Sequence, residues 1–264
     1  MSRKTVYYHD PLHDDFAPTN GHIHPKQIGA DFPYEHKGPL WNALAFVVYR
    51  MVMTPFLFLY CKLVFGLRIE NRKALRALPG GYFLYGNHTN TLADAFIPTL
   101  LSFPRRANII TSADTVSIPG VRNIVQMLGA IPLANTIDGT RQFLHRRLER
   151  GQAVTIYPEA HIWPYYNGIR PFPDTSFAYP VREQLPVVAA AVVYRKRKLL
   201  RALPPRITVV VSDPFYPDPA LPPRSARRDL HKKVYTFLCD TVSARRSYAH
   251  IEYLPAQDQN PAAR

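Results

Sequence analysis

The chain has 264 residues, of which 47% are hydrophobic, enough to bury a real core in one large domain with appendages. Its 33 Lys and Arg against 19 Asp and Glu give a formal net charge of +14, which points to an anionic partner: nucleic acid, an acidic membrane surface or a phosphorylated substrate. Two cysteines, Cys61 and Cys239, match no zinc or redox spacing and argue against a disulfide framework or a structural zinc site.

Residues 1–38 are polar, rich in His, Pro and Asp, and lack periodicity. They read as a weakly ordered arm. They hold His9, His13, His22, His24 and His36, yet no helical His pair at four-residue spacing that would frame a metal. They carry no apolar signal segment, so the catalytic part is expected on the cytoplasmic side.

Residues 39–66 form the most apolar stretch. A spanning helix needs ~20 largely uncharged residues. Arg50 splits this run, Pro55 can kink it and Lys62 follows, so two short helices forming a membrane-associated hairpin are expected. Trp41, Tyr49 and Tyr60 suit an interface, and Arg50 and Lys62 can snorkel to phosphates. The alternative is a helical hairpin buried inside the domain.

From residue 68 onward, apolar runs alternate with helical patterns. Strands are expected at 82–86, 107–111, 130–133, 153–157, 186–194 and 206–212, and helices at 91–102, 119–128, 138–150, 175–184 and 224–247. This alternation predicts an α/β fold with a mostly parallel central sheet flanked by helices. Residues 254–264 read as a loose tail, and no internal repeat is present.

Four segments carry candidate chemistry. In Tyr85-Gly86-Asn87-His88-Thr89-Asn90-Thr91-Leu92-Ala93-Asp94, a base and a carboxylate flank a strand-to-helix junction. The same residues also fit a capping box, with Thr91 as N-cap and Asp94 at N3. In Val154-Thr155-Ile156-Tyr157-Pro158-Glu159-Ala160, Pro158 ends a strand and delivers Glu159 at its tip. The loop behind it carries His161, Trp163, Tyr165, Tyr166 and Arg170, an aromatic loop with one fixed cation. Gly129 to Asn135 and Leu185 to Val192 each read as a connection into a buried strand.

In this order the four segments resemble the glycerolipid acyltransferases, which include the 1-acylglycerol-3-phosphate acyltransferases. Asn87, His88 and Asp94 take the places of that family's Asn-His and downstream Asp, and Tyr157-Pro158-Glu159-Ala160 those of its aromatic-Pro-Glu-Gly block. Gly129–Asn135 and Leu185–Val192 match its other two segments, and residues 39–66 its apolar N-terminal region, so the likeness spans roughly residues 40–215. The chain departs from the pattern in three places. Five residues separate His88 from Asp94, where the family has four. Ile162 stands where the third segment has an arginine, and the arginine of the second is missing near Ala134 and Asn135. Neither Ile nor Asn can supply the bidentate fork with which a guanidinium holds phosphate. Arg170, Arg122, Arg141 or His161 are the candidate substitutes.

The resemblance implies transfer of a fatty acyl group from acyl-CoA or acyl carrier protein to a lysolipid hydroxyl. His88 is the implied base and Asp94 its orienting carboxylate, with backbone N–H groups at 89–92 as oxyanion donors. Asn87, Glu159, His161 and Arg170 are the implied substrate-side residues, Glu159 either binding the acceptor or fixing the loop of Arg170. No cofactor or metal is implied. The domains expected are the arm 1–38, the membrane-associated segment 39–66, the acyltransferase α/β domain 67–253 and the tail 254–264. Two rivals remain: a non-catalytic lipid-binding relative, and a nucleic-acid-binding protein suggested by Arg195-Lys196-Arg197-Lys198.

Overall fold

A computed structural model describes residues 4–16, 38–113, 122–133 and 137–256. Seven strands form the central sheet in the order β2-β8-β7-β3-β6-β4-β5. They are β2 (Arg68–Glu70), β3 (Tyr82–Gly86), β4 (Ala107–Thr111), β5 (Ala130–Pro132), β6 (Ala153–Ile156), β7 (Val187–Arg195) and β8 (Arg206–Val211). Every neighbouring pair is parallel except β7 with β8.

The apolar run Tyr82-Phe83-Leu84-Tyr85 is a central strand with both faces covered, as near-continuous hydrophobicity requires in a parallel sheet. Tyr82 and Leu84 join one core with Leu57, Cys61, Ile97, Leu101, Val188 and Val192. Phe83 and Tyr85 join the other with Phe143, Leu144, Val154, Leu230 and Val234. The first face is roofed by α1 (Pro39–Leu63) and α3 (Thr91–Ser102), which follows the four-residue α2 (Lys73–Arg76). The second lies under α5 (Ile137–Glu149), α6 (Ala178–Glu183) and the 22-residue α7 (Pro223–Ala244). α4 (Arg122–Met127) precedes β5. Between them Gly129 has φ +98°, and a Cβ there would sit 2.4 Å from the Ala107 carbonyl, so this tight entry into β5 requires glycine.

The expected N-terminal hairpin is instead one continuous helix of 25 residues. Its buried residues are Ala45, Tyr49, Thr54, Leu57 and Cys61. The spacing widens to five between Tyr49 and Thr54, where residues Val47–Met53 are π-helical. Thr54 Oγ donates to the Tyr49 carbonyl at 2.7 Å. The extra residue keeps the buried stripe in register, and the wider turn accommodates Pro55 without breaking the helix. The rest of α1 is apolar and outward: Leu40, Leu44, Phe46, Met51, Phe56, Phe58, Leu59 and Leu63 are all exposed. Arg50 donates to the Pro104 carbonyl and stacks on Phe103, and Lys62 Nζ donates to the Leu67 carbonyl at 2.9 Å. Both cations therefore bind the protein's own carbonyls, where snorkelling was expected.

The two chain ends also differ from expectation. β1 (Lys4–Tyr8) pairs in parallel with β9 (Ile251–Pro255), so part of the presumed arm and the start of the presumed tail form a separate two-stranded sheet. His22, His24, His36, Ala134, Asn135 and residues 257–264 lie outside the described residues.

Candidate active site

β3 ends at Gly86, and the next four residues turn the chain into α3. Gly86 admits the Tyr157 ring beside the strand end, since a Cβ there would meet Tyr157 Cε1 at 3.1 Å and the Ala190 carbonyl at 3.3 Å. Asn87 is buried and pairs with the backbone of β7, accepting from Val192 N–H at 2.8 Å and donating to Val192 C=O at 3.1 Å. It locks the turn to the sheet and is occupied in doing so, which differs from the substrate-side role implied by the sequence. His88 is thereby the first residue of the turn free to face outward.

Nδ1 of His88 lies 2.8 Å from Asp94 Oδ2, with side-chain exposures of 17% for the histidine and 2% for the aspartate. The same Oδ2 accepts the amides of Thr89 and Asn90, each at 2.8 Å. An acceptor-only carboxylate fixes the tautomer: Nδ1 carries the proton and Nε2 keeps a lone pair. The helix cap lies one residue earlier than expected. Asn90, not Thr91, is the N-cap, accepting from Ala93 N–H at 2.9 Å. The extra residue between His88 and Asp94 is absorbed in the extended Asn90 (φ −156°, ψ 114°) ahead of the helix. Capping and histidine orientation are thus not alternatives, because one carboxylate oxygen performs both.

Two aromatic residues frame this pair, neither assigned a role from sequence. The Tyr157 ring stacks on the His88 imidazole, with centroids 4.6 Å apart and planes 13° from parallel, while its hydroxyl donates to the Asp94 carbonyl at 2.6 Å. The Tyr194 hydroxyl lies 2.8 Å from Thr89 Oγ and donates to Thr89 C=O at 3.0 Å. Burial holds both phenols well above the usual range, so both stay protonated. Tyr157 directly follows β6 and Tyr194 is the penultimate residue of β7, and nothing in the local sequence separates such a tyrosine from core packing.

Glu159 and Arg170 form a buried pair behind the turn. Glu159 accepts from the His88 amide at 3.1 Å, from Arg170 N–H at 3.0 Å and from Arg170 Nη2 at 3.2 Å. Burial pushes its carboxyl up; the Arg170 guanidinium and the two amides pull it back. Arg170 also donates to the His161 carbonyl and stacks over Trp163 at 5.1 Å. Its guanidinium is buried inside the protein, with Nη2 bound to Glu159 and the His161 carbonyl and Nε and Nη1 without a partner, so of the two expectations for Glu159 the geometry shows the fixing of the loop. Ala160, in the family's glycine place, takes the left-handed φ of +63° that glycine favours. His161 Nδ1 lies 3.6 Å from Asp15 Oδ2. Arg141 lies on α5 in a separate cleft with His145 and Glu183.

Loop 159–170 straps the turn from outside, through Trp163 N–H to His88 C=O at 3.3 Å and Tyr165 N–H to Thr89 C=O at 2.7 Å. The N-terminal segment straps the loop in turn. Trp163 Nε1 donates to the Asp14 carbonyl at 2.7 Å, and its ring meets Tyr8, Phe16 and Tyr253 at 4.8, 5.3 and 5.0 Å. The two arginines of the basic cluster are committed elsewhere, while Lys196 and Lys198 are exposed. Arg197 donates to the carbonyls of Pro204 and Val64, and Arg195 to that of Gly66, neutralising the C-terminal end of α1. Among the described residues no group of three or more His, Cys, Asp or Glu is placed to hold a metal.

A family model described as Acyltransferase matches residues 66–193. Comparison with curated protein sequences gave no match. Among solved structures, the chain is similar to the 1-acyl-sn-glycerophosphate (LPA) acyltransferase PlsC from Thermotoga maritima, with a TM-score of 0.56 at 15% identity over 79% of this chain and 88% of that one. The matched segment runs from the loop before β2 into β7 and contains His88, Asp94, Glu159 and Arg170. Residues 66–193 thus match an acyltransferase family model, and the chain shares its α/β fold with that PlsC structure.

Proposed function

We propose that this protein transfers a fatty acyl group from a thioester, acyl-CoA or acyl carrier protein, to a free hydroxyl of a lysolipid such as 1-acylglycerol-3-phosphate. The observation that carries this reading is the buried Asp94 holding His88 by Nδ1, with part of the imidazole open to the outside. The PlsC neighbour, named as a 1-acyl-sn-glycerophosphate acyltransferase, supports the choice of acceptor class.

In this scheme His88 Nε2 takes the acceptor's hydroxyl proton as the oxygen attacks the thioester carbonyl. Asp94 keeps the tautomer correct and offsets the charge on the imidazolium. The tetrahedral oxyanion collapses, the carbon–sulfur bond breaks, and the departing thiolate takes the proton from His88. The Thr89 and Asn90 amides are engaged by Asp94, which leaves Thr91 and Leu92, first-turn amides with no intrahelical acceptor, as the oxyanion donors. Glu159 and Arg170 act as positioning residues through the His88 amide and loop 159–170.

Helix α1 supplies the route to the acceptor. Its length of about 37 Å would suffice to cross a bilayer. Only 28% of its most apolar window is buried, which is unlike a core helix. Its buried stripe docks on the sheet and α3 from Ala45 to Cys61. A helix held lengthwise against the domain lies along one leaflet with its exposed face in lipid. His88→Ala tests the reading: acyl transfer to a lysolipid should vanish while the protein stays folded. Near-normal transfer would remove His88 from the chemistry, and lipid binding without transfer in the wild type would favour a catalytically silent relative.

A further inference from the structure

A cavity lies at the other end of the sheet from His88. The strands β3, β4 and β6 run in parallel, with Tyr82 and Ala107 each level with Ala153. His88 follows the C-terminal end of β3. Arg105, Arg106 and Gln152 precede the N-terminal ends of β4 and β6, a strand length of roughly 17 Å away. There a cavity of about 570 Å³, within the size range of ligand pockets, opens between the sheet and the N-terminal half of α1.

Five of its lining residues are Arg50, Arg105, Arg106, Arg147 and Arg150, and no acidic residue lines it among the described residues. The arginines come from α1, the approach to β4, and α5 with the turn after it, so the fold gathers cations from three separate segments. For Arg50 and Arg106, backbone carbonyls account for only part of the donors. Arg50 binds Pro104 C=O and Arg106 binds Met127 C=O, yet Nη1 of Arg50 and Nε of Arg106 are buried with no hydrogen-bond partner. Buried N–H donors without an acceptor are costly, and clustered like charges add to the cost. Burial lowers the Arg106 guanidinium from its ordinary value, and the adjacent Arg50 charge adds to that lowering. An anion seated here would relieve both costs.

The mouth of the cavity indicates the source of the anion. Trp41 and the exposed Phe46 of α1 line it, and the outward apolar residues Leu40, Leu44 and Met51 continue from it along the same helix. We infer that this arginine cavity is a second, non-catalytic phosphate site, and that it seats the head group of an anionic phospholipid whose chains lie along α1. The inference rests on the placement of α1 in a leaflet, not on the acyl-transfer step. It gives the protein a preference for anionic membrane and fixes the depth and orientation of the helix.

The test is vesicle binding by the full chain, comparing phosphatidylcholine alone with phosphatidylcholine containing phosphatidic acid at fixed salt. Arg106→Gln removes the central cation. Because Arg106 also supports backbone carbonyls, the double variant Arg147→Gln/Arg150→Gln keeps the test readable if the first unfolds. A control, Arg228→Gln/Lys232→Gln, removes the same charge from the exposed side of α7. The cavity variant should lose its preference for anionic vesicles by about fivefold per arginine, on the order of 25-fold for the pair, against little loss in the control. Its acyl transfer in detergent should be unchanged. Equal losses in the cavity variant and the control would overturn the site. Loss of inorganic phosphate or CoA binding without any change in vesicle preference would overturn the lipid as its occupant. A wild type that binds no vesicles would instead overturn the leaflet placement, and a lack of transfer activity would bear only on the proposed function.

Discussion

At the scale of single residues, His88 and Asp94 should respond differently to substitution. His88→Ala removes the base and little packing, so kcat should fall by at least ~10²–10⁴-fold with the melting temperature nearly unchanged. Asp94→Asn disturbs three hydrogen bonds to one buried oxygen, so it should lose activity and also about 1–3 kcal/mol of stability, read by denaturant titration. The buried Glu159–Arg170 pair should behave unlike the half-exposed Glu70–Arg245 pair. Glu159→Gln is expected to cost about 3–5 kcal/mol, because it strands a buried guanidinium. Arg245→Ala should stay within ~1 kcal/mol. The histidine and aspartate were legible in sequence because few residue types can perform acid–base work. The burial of Arg170 was not, since a lone arginine in an aromatic loop reads equally as a phosphate ligand or an internal strut.

At the same scale, His145 offers a pH signature. Its hydrogen bond to Glu183 raises its pKa above the ordinary 6.5, and Glu149 adds to the shift. A raised histidine pKa contributes stability that is fully present below the unfolded value and lost as pH rises through the folded one. The difference in melting temperature between wild type and His145→Gln should therefore shrink from acidic to mildly alkaline pH. A difference that grows with pH would contradict the pairing.

At the scale of elements, the interior strands were readable because β3, β6 and β7 are buried on both faces and must be apolar throughout. The short edge strand β2 and the pair β1–β9 were not. β1 and β9 are half exposed and find their partner 247 residues away, and only the assembled fold brings them together. Pro55 was read as a kink between two short helices, but the π-turn before it absorbs the missing amide and keeps α1 whole. Removing residues 1–16 should unpair β9 and uncover Trp163. In a Trp41→Phe background, its fluorescence should shift to the red; an unchanged spectrum would mean that the N-terminal strap does not hold in solution.

At the scale of the whole molecule, the two candidate sites lie at opposite ends of the sheet. The C-terminal ends of its central strands carry His88 and the strapped loop; the N-terminal ends carry the arginine cavity; and α1 runs beside both with an exposed apolar face. The net charge of +14, uninformative about its partner in the sequence alone, is partly spent internally, with Arg50, Arg105, Arg106, Arg170 and Arg197 all binding backbone carbonyls. The most direct test of the central claim is acyl transfer from labelled acyl-CoA to a panel of lysolipid acceptors, with products read by lipid mass spectrometry for wild type and His88→Ala. A diacyl product from the wild type, and none from a His88→Ala protein that melts normally, is the expected result. Product formed by His88→Ala at the wild-type rate, or no product from the wild type with any acceptor, would contradict it.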